Sequence, residues 1–379
     1  MIEIVGIEKT YPGSGGLLAA SAVKALRGVT LTLPTGGAIA LIGESGCGKT
    51  TLGRILAGLE TYDAGELIVD GVAVSRLSRK ERGAVFRKVQ LIHQDPYAAL
   101  NPARTLGQAL FDPLKLRART LGKDGTWIKQ RARELLNLVG LEPESTLYKY
   151  PHNLSGGQRQ RVVIARALTV DPEVLVADEA VSMIDVSLRL GLLQVLSDLR
   201  ERLGIGIVFI SHDVAAVRYV ARDGAICVIY RGEIVEYGAI DDVIQAPVHP
   251  YTQALLSAMP VLRGLEEPGP DRYVPSEVME AGANDIGCLF APRCPFATDH
   301  CRATHPYLVM TENPRRLNAC FYPQARRVVA VPVRRPPSER DRVGVSPGPA
   351  STGSAGVSPG PASTGSAGVS PGPALPANA

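Results

Sequence analysis

Apolar residues gather into short blocks separated by longer amphipathic stretches. The compact blocks are Ile2–Ile7, Ala38–Ile42, Val89–His93, Val174–Ala177, Ile205–Ile210 and Ala225–Tyr230. Their length and richness in β-branched residues predict strands. Helical spacing recurs in Trp127–Val139, Gln158–Leu168 and Val186–Leu203, and Tyr251–Met259 reads as one more helix. Strands alternating with helices predict an α/β domain over residues 1–260, with a mostly parallel sheet covered on both faces. The stretch from about 95 to 165 has no strand-like run and predicts a helical insert.

The pattern changes beyond residue 260. Residues 261–323 are richer in proline and loop-forming residues and hold four of the six cysteines. From 324 the chain is basic and proline-rich. Residues 343–379 carry no charge and repeat GVSPGPASTGSA at 344–355 and 356–367, then GVSPGPA at 368–374. Such a tail cannot bury enough surface to offset its ordering entropy, which predicts disorder. A partner-binding polyproline segment is the other reading.

Composition narrows the classes. A net charge of +4, from 41 basic and 37 acidic residues, is too small to indicate nucleic acid. Mean hydropathy is +0.07, yet no apolar run reaches the ~18 residues of a membrane span. The start, Met1-Ile2-Glu3-Ile4-Val5, has neither the basic nor the apolar region of a secretory signal. A cytosolic location is the expectation, and there thiols stay reduced.

Three motifs carry chemistry. Gly43-Glu44-Ser45-Gly46-Cys47-Gly48-Lys49-Thr50 follows the apolar run Ala38–Ile42 and precedes the helical pattern from Thr51. Its glycines let backbone amides turn toward phosphate oxygens, and the helix N-terminus adds partial positive charge. Lys49 is placed for the β- and γ-phosphates and the Thr50 hydroxyl for Mg²⁺. Second, Val174-Leu175-Val176-Ala177 ends in Asp178-Glu179. Asp178 is a candidate Mg²⁺ ligand, and Glu179, on the other side of the pleat, a candidate general base. Third, Leu154-Ser155-Gly156-Gly157-Gln158 opens a helix with Ser155 as its cap, making a second anion site. One chain needs two such sites if two units pair head to tail, each offering residues 154–158 to the ATP held by the other.

Taken together, these motifs resemble the ATP-binding-cassette ATPases over about residues 1–260. The resemblance implies a P-loop NTPase cassette with an antiparallel β subdomain beside the parallel sheet and the helical insert. It implies adenine stacking by Tyr11, nucleotide contacts by residues 43–50 and Thr51, Mg²⁺ sensing by Gln94, an interface role for Asp185 and a γ-phosphate contact for His212. Met183-Ile184 and Ala180 depart from the family's usual residues but stay small or apolar, so hydrolysis should persist.

Further resemblances are narrower. Arg231–Gly238 followed by His249-Pro250-Tyr251-Thr252-Gln253-Ala254-Leu255-Leu256 resembles the end of the core in oligopeptide, dipeptide and nickel importer ATPases. Gly287-Cys288-Leu289-Phe290-Ala291-Pro292-Arg293-Cys294-Pro295, with Cys301 and Cys320, resembles their C-terminal extension. The implied partners are a second ATPase subunit (the same or a related chain), two transmembrane permease subunits docked on the insert and, through them, an extracellular substrate-binding protein. The implied place is the cytoplasmic face of the membrane. A soluble cassette acting on nucleic acid or the ribosome, or one in a phosphonate-degrading complex, is the alternative. For Cys288, Cys294, Cys301 and Cys320, three fates are open: separate buried thiols, a Cys₄ zinc site, or a four-thiolate iron–sulfur cluster. The resemblance favours the cluster, in the 4Fe–4S form, with zinc as the alternative.

Overall fold

The computed structural model describes residues 1–12, 22–258, 267–268, 271–273, 286–311, 313 and 315–330. The chain divides into Met1–Pro332 and Val333–Ala379, and the described residues all fall in the first unit. The repeats at 343–379, and most of 259–285, lie outside the described residues.

The larger sheet has eight strands in the order Val309–Met310, Leu317–Asn318, Glu233–Ala239, Ala225–Tyr230, Ala38–Ile42, Gly206–Ile210, Val174–Asp178, Val89–Ile92. Neighbours from Ala225–Tyr230 to Val89–Ile92 are parallel; the other pairs are antiparallel. Ala38–Ile42, Val174–Asp178 and Gly206–Ile210 are buried at every position, which is why they read as continuous apolar runs rather than as alternating ones. Successive residues still serve different cores. Ala40, Ile42, Leu175, Ala177, Ile207 and Phe209 face the helices Gly156–Ala167 and Val186–Leu203. Ile39, Leu41, Val176, Val208 and Ile210 face Leu52, Ile55 and Leu56 of the helix Lys49–Leu56.

A separate antiparallel sheet, in the order Val23–Leu33, Ile2–Tyr11, Ala64–Val69, Val72–Ala73, covers that second core. Of its strands, only the first half of Ile2–Tyr11 stands out in the apolar pattern. Val23–Leu33 alternates with charged and small residues, and its apolar face becomes evident only against Ile4 and Ile7.

The insert contains the helices Leu106–Leu121 and Gly125–Leu138 and the shorter turns Pro96–Ala99 and Pro143–Thr146. Leu110, Leu114, Leu135 and Leu136 join Val162 of the following helix in one core.

The C-terminal extension continues the large sheet. Asn318 pairs with Glu236 and Leu317 with Tyr237. Glu236 is fully buried; its carboxylate accepts the Val248 and His249 N–H groups, both at 3.0 Å, and the Arg316 guanidinium. The packed chain runs beyond residue 323: Gln324 N–H donates to Val248 O at 3.3 Å, Arg326 N–H to Pro247 O at 3.2 Å, and Val328 is buried.

Candidate active site

Four adjacent parallel strands deliver the site at their carboxyl ends, the place where open α/β sheets bind ligands. Ala38–Ile42 leads into loop 43–48, Gly206–Ile210 into His212, Val174–Asp178 into Glu179 and Val89–Ile92 into Gln94.

The loop needs its glycines. Gly48 caps the helix Lys49–Leu56 with φ 108°, and a Cβ there would stand 2.3 Å from Ala25 O. At Gly43 a Cβ would meet Ile229 O at 2.2 Å and Cys47 Sγ at 2.7 Å. Lys49 is buried, and its ammonium donates to Gly43 O at 2.9 Å and Glu44 O at 2.8 Å. Ser45, Gly46 and Thr50 are exposed, Thr51 half-buried.

The Thr50 hydroxyl donates to Asp178 Oδ1 at 3.1 Å. Burial, opposed by this bond and by Lys49, pushes the Asp178 carboxyl above the usual range. Hydroxyl and carboxylate are the hard oxygen donors that Mg²⁺ takes. Glu179 adopts φ 45°, a left-handed conformation uncommon for a residue with a side chain. Its N–H donates to Ile210 O at 3.0 Å, and its carbonyl accepts the Ser182 hydroxyl at 2.8 Å. Gln94 Nε2 lies 2.9 Å from Glu179 Oε2, and His212 Nδ1 3.6 Å from Oε1. Gln94 and His212, from separate motifs, therefore meet at the Glu179 carboxylate.

Leu154–Gln158 are tied to the insert instead. Ser155 Oγ accepts the Gln158 N–H at 3.3 Å and Gln158 Oε1 the Ser155 N–H at 3.1 Å, a capping box on Gly156–Ala167. Leu154 is buried, and its carbonyl accepts from Arg159. A Cβ on Gly156 would meet nothing within 4 Å, and one on Gly157 only ordinary contacts with Leu188 and Ile184. Asp185 stands exposed at the start of Val186–Leu203. Tyr11, half-buried at the end of its strand, donates to Glu60 at 3.2 Å.

Cys288, Cys294, Cys301 and Cys320 are unpaired and line one cavity with His249 and Phe290. Burial pushes Cys288 and Cys320 up to about 11. Among the described residues, no group of three or more His, Cys, Asp or Glu side chains is drawn together to hold a metal ion.

Three contributors have no role in the sequence reading. Ser182 braces Glu179. Tyr251 and Arg293 hold Glu44, the former by accepting its N–H at 2.8 Å, the latter through its carboxylate. Both lie in the segments that resemble the importer ATPases, but 207 and 249 residues from Glu44, where no spacing argument reaches.

Residues 26–182 match the ABC transporter family model, and residues 235–301 the oligopeptide/dipeptide transporter C-terminal region. A dipeptide transport ATP-binding protein of Haemophilus influenzae is 39% identical over 327 residues, 85% of this chain and 96% of that protein. A di/tripeptide transport ATP-binding protein of Pseudomonas aeruginosa is 38% identical over 83% of this chain and 95% of its own length. Among solved structures, a dimeric ATP-binding cassette in a post-hydrolysis state, bound to ADP and phosphate, superposes with TM-score 0.56. It is 29% identical and covers 63% of this chain and 99% of its own. With the phosphate loop, the Thr50–Asp178 pair and the Glu179 cluster on one sheet edge, the chain belongs to the ABC transporter ATPases, enzymes that hydrolyse ATP.

Proposed function

We propose that this chain is the ATP-hydrolysing subunit of an importer for peptides. The observation that carries the peptide assignment is the likeness to peptide-transport ATP-binding proteins across 85% of the chain, with residues 235–301 matching the oligopeptide/dipeptide transporter C-terminal region. A strain lacking the chain should lose uptake of a labelled dipeptide, regain it with the wild-type chain and not with Glu179→Gln, and keep nickel uptake. Unchanged dipeptide uptake overturns the assignment.

In this reading residues 43–51 hold the triphosphate and Tyr11 stacks on adenine. Thr50, Asp178 and Gln94 would hold Mg²⁺, which supplies charge neutralisation of the β- and γ-oxygens. Glu179 takes the proton of the attacking water, and His212, beside it, contacts the γ-phosphate. Positioning and electrostatics do most of the work in phosphoryl transfer, which suits a carboxylate fixed from two sides.

Leu154, Ser155, Gly156, Gly157, Gln158 and Asp185 serve the ATP of a second subunit, the same chain or a related one. The support is that a Cβ on Gly156 would meet nothing within 4 Å among the described residues of its own chain. The insert would dock two permease subunits: Tyr97, close to Gln94 in sequence, and Tyr148 are large exposed aromatics there. Among the described residues no helix is long and apolar enough to cross a membrane, so the chain would be a peripheral subunit at the cytoplasmic face. An extracellular binding protein would deliver the peptide.

The divisions that go with this reading are an ATPase domain to about 260, an extension over 261–323 whose packing continues to Val328, and a tail beyond. The 4Fe–4S cluster of this reading would sit in the extension, on the four thiols that line one cavity. Zinc on the same thiols is the alternative; among the described residues no group of three or more His, Cys, Asp or Glu side chains is drawn together to hold a metal ion.

A further inference from the structure

Glu44 is the sole acid in the loop 43–50. An anion-binding loop works through backbone amides and Lys49, so a free carboxylate there would oppose a polyphosphate. The extension meets this residue directly. Arg293 Nη1 lies 2.9 Å from Glu44 Oε2 and Nη2 2.8 Å from Oε1, the two-pronged geometry that makes arginine–carboxylate pairs strong. The arginine side chain is only 16% exposed, against 42% for Glu44. Its guanidinium stands 5.9 Å from the Tyr230 ring centre and 5.7 Å from that of Phe290.

The arginine is also held in place from its own backbone. It ends the single turn Ala291–Arg293, whose Ala291 N–H donates to Cys288 O at 3.0 Å. Cys294 N–H donates to Ala291 O at 3.3 Å, and Cys288 N–H to Cys301 O at 2.8 Å. Glu44 is fixed on the other side by Tyr251 and Lys49 through its backbone.

We propose that Arg293 is a positioning residue of the nucleotide site: it neutralises Glu44 and keeps that carboxylate on the extension's side of the loop, so that the extension sets the affinity for ATP. The proposal rests on loop 43–50 being the ATP site. Without Arg293, Glu44 becomes an uncompensated negative charge at the phosphate entrance, and binding weakens while the Glu179 cluster is untouched.

The test is MgATP binding and steady-state hydrolysis by the full-length chain. Arg293→Met should raise Kd and KM about tenfold, the scale of one lost charge-assisted pair, with kcat at saturating ATP within about twofold. Arg293→Lys, which keeps the charge and loses the fork, should fall between it and the wild type. The double variant Glu44→Gln with Arg293→Met should regain most of the lost affinity, because the offending charge is gone. A role in packing alone predicts no such recovery. Arg293→Met at wild-type affinity, or a double variant as weak as Arg293→Met, overturns the proposal. Should Arg293→Met not fold, Arg293→Lys alone and combined with Glu44→Gln makes the same comparison. Absence of MgATP binding by the wild-type chain overturns the site and the proposal together, whereas normal wild-type binding isolates the role of Arg293.

Discussion

Gln94 Nε2 lies 2.9 Å from Glu179 Oε2, joining the end of one parallel strand to the end of its neighbour. On the proposed roles, the amide nitrogen of Gln94 holds Glu179 while its amide oxygen would serve Mg²⁺.

Replacing Glu179 by Gln removes the base while keeping a side chain that can stay near Gln94 and His212. Hydrolysis should fall roughly 10²–10⁴-fold, the usual worth of general-base assistance, and ATP should still bind. Lys49→Ala should instead weaken binding itself. Turnover by Glu179→Gln within a few-fold of wild type, in the assembled transporter, would remove Glu179 from this role.

Gly156 allows a cleaner separation. A Cβ there meets nothing within 4 Å in its own chain, so Gly156→Asp should leave the melting temperature and ATP affinity of the monomer nearly intact. A carboxylate at the helix N-terminus is itself favourable to the helix. The same carboxylate facing a partner's γ-phosphate should block ATP-driven dimerisation. Equal losses in monomer binding and in dimerisation would show that residues 154–158 act within their own chain.

The sequence exposes the parts of this molecule whose physics is local. The four fully or nearly fully buried parallel strands read as apolar runs, and Asp178 and Glu179 mark where one run ends. The phosphate loop is legible because its residues form one contiguous motif between a strand and a helix, although the carbonyls that crowd Gly48 and Gly43 come from the distant Ala25 and Ile229. Val23–Leu33 is not legible, because half of it faces solvent and its register is set by pairing with Ile2–Tyr11. The Arg293–Glu44 pair is beyond any periodicity: two residues 249 apart meet because the extension folds back on the cassette.

His249 gives the fold a dependence on acid. It is buried, its Nδ1 accepts the Tyr251 N–H at 3.0 Å, and burial, partly offset by the Ala319 backbone, pulls its pKa down to about 3. The nearest charged groups are Glu236, which accepts the His249 N–H, and Arg316, paired with it. The folded chain therefore keeps this imidazole neutral, whereas the unfolded chain protonates it below about 6.5. Stability from this group is complete above that pH and is lost as pH falls toward 3, by about 1.4 kcal/mol per unit at most. Between pH 7 and 5 the contribution should drop by ~2 kcal/mol. Denaturant unfolding of His249→Gln, less stable overall, should show a correspondingly shallower pH slope over that window. Parallel slopes for the two proteins would show that His249 titrates normally in the fold.

The four thiols make the last prediction. Cys288 and Cys320 are held neutral at pH 7 by burial, so without a ligand they should alkylate slowly. Iron or zinc binds thiolates, and loading must expel protons, which makes occupancy favoured by higher pH. Protein purified without oxygen should be brown, with broad absorbance near ~400 nm and four irons per chain as in Cys₄ clusters. Cys294→Ser should bleach it. The same change leaves the Cys294 N–H to Ala291 O bond in place, so a rise in KM for ATP without a matching fall in kcat would show that the cluster itself steadies the turn that carries Arg293. Colourless protein with one zinc per chain would assign the cavity to zinc. Colourless, metal-free protein would leave four free thiols, Cys301 buried and the other three half-buried, and Cys294→Ser would then change ATP affinity only as far as it disturbs Arg293.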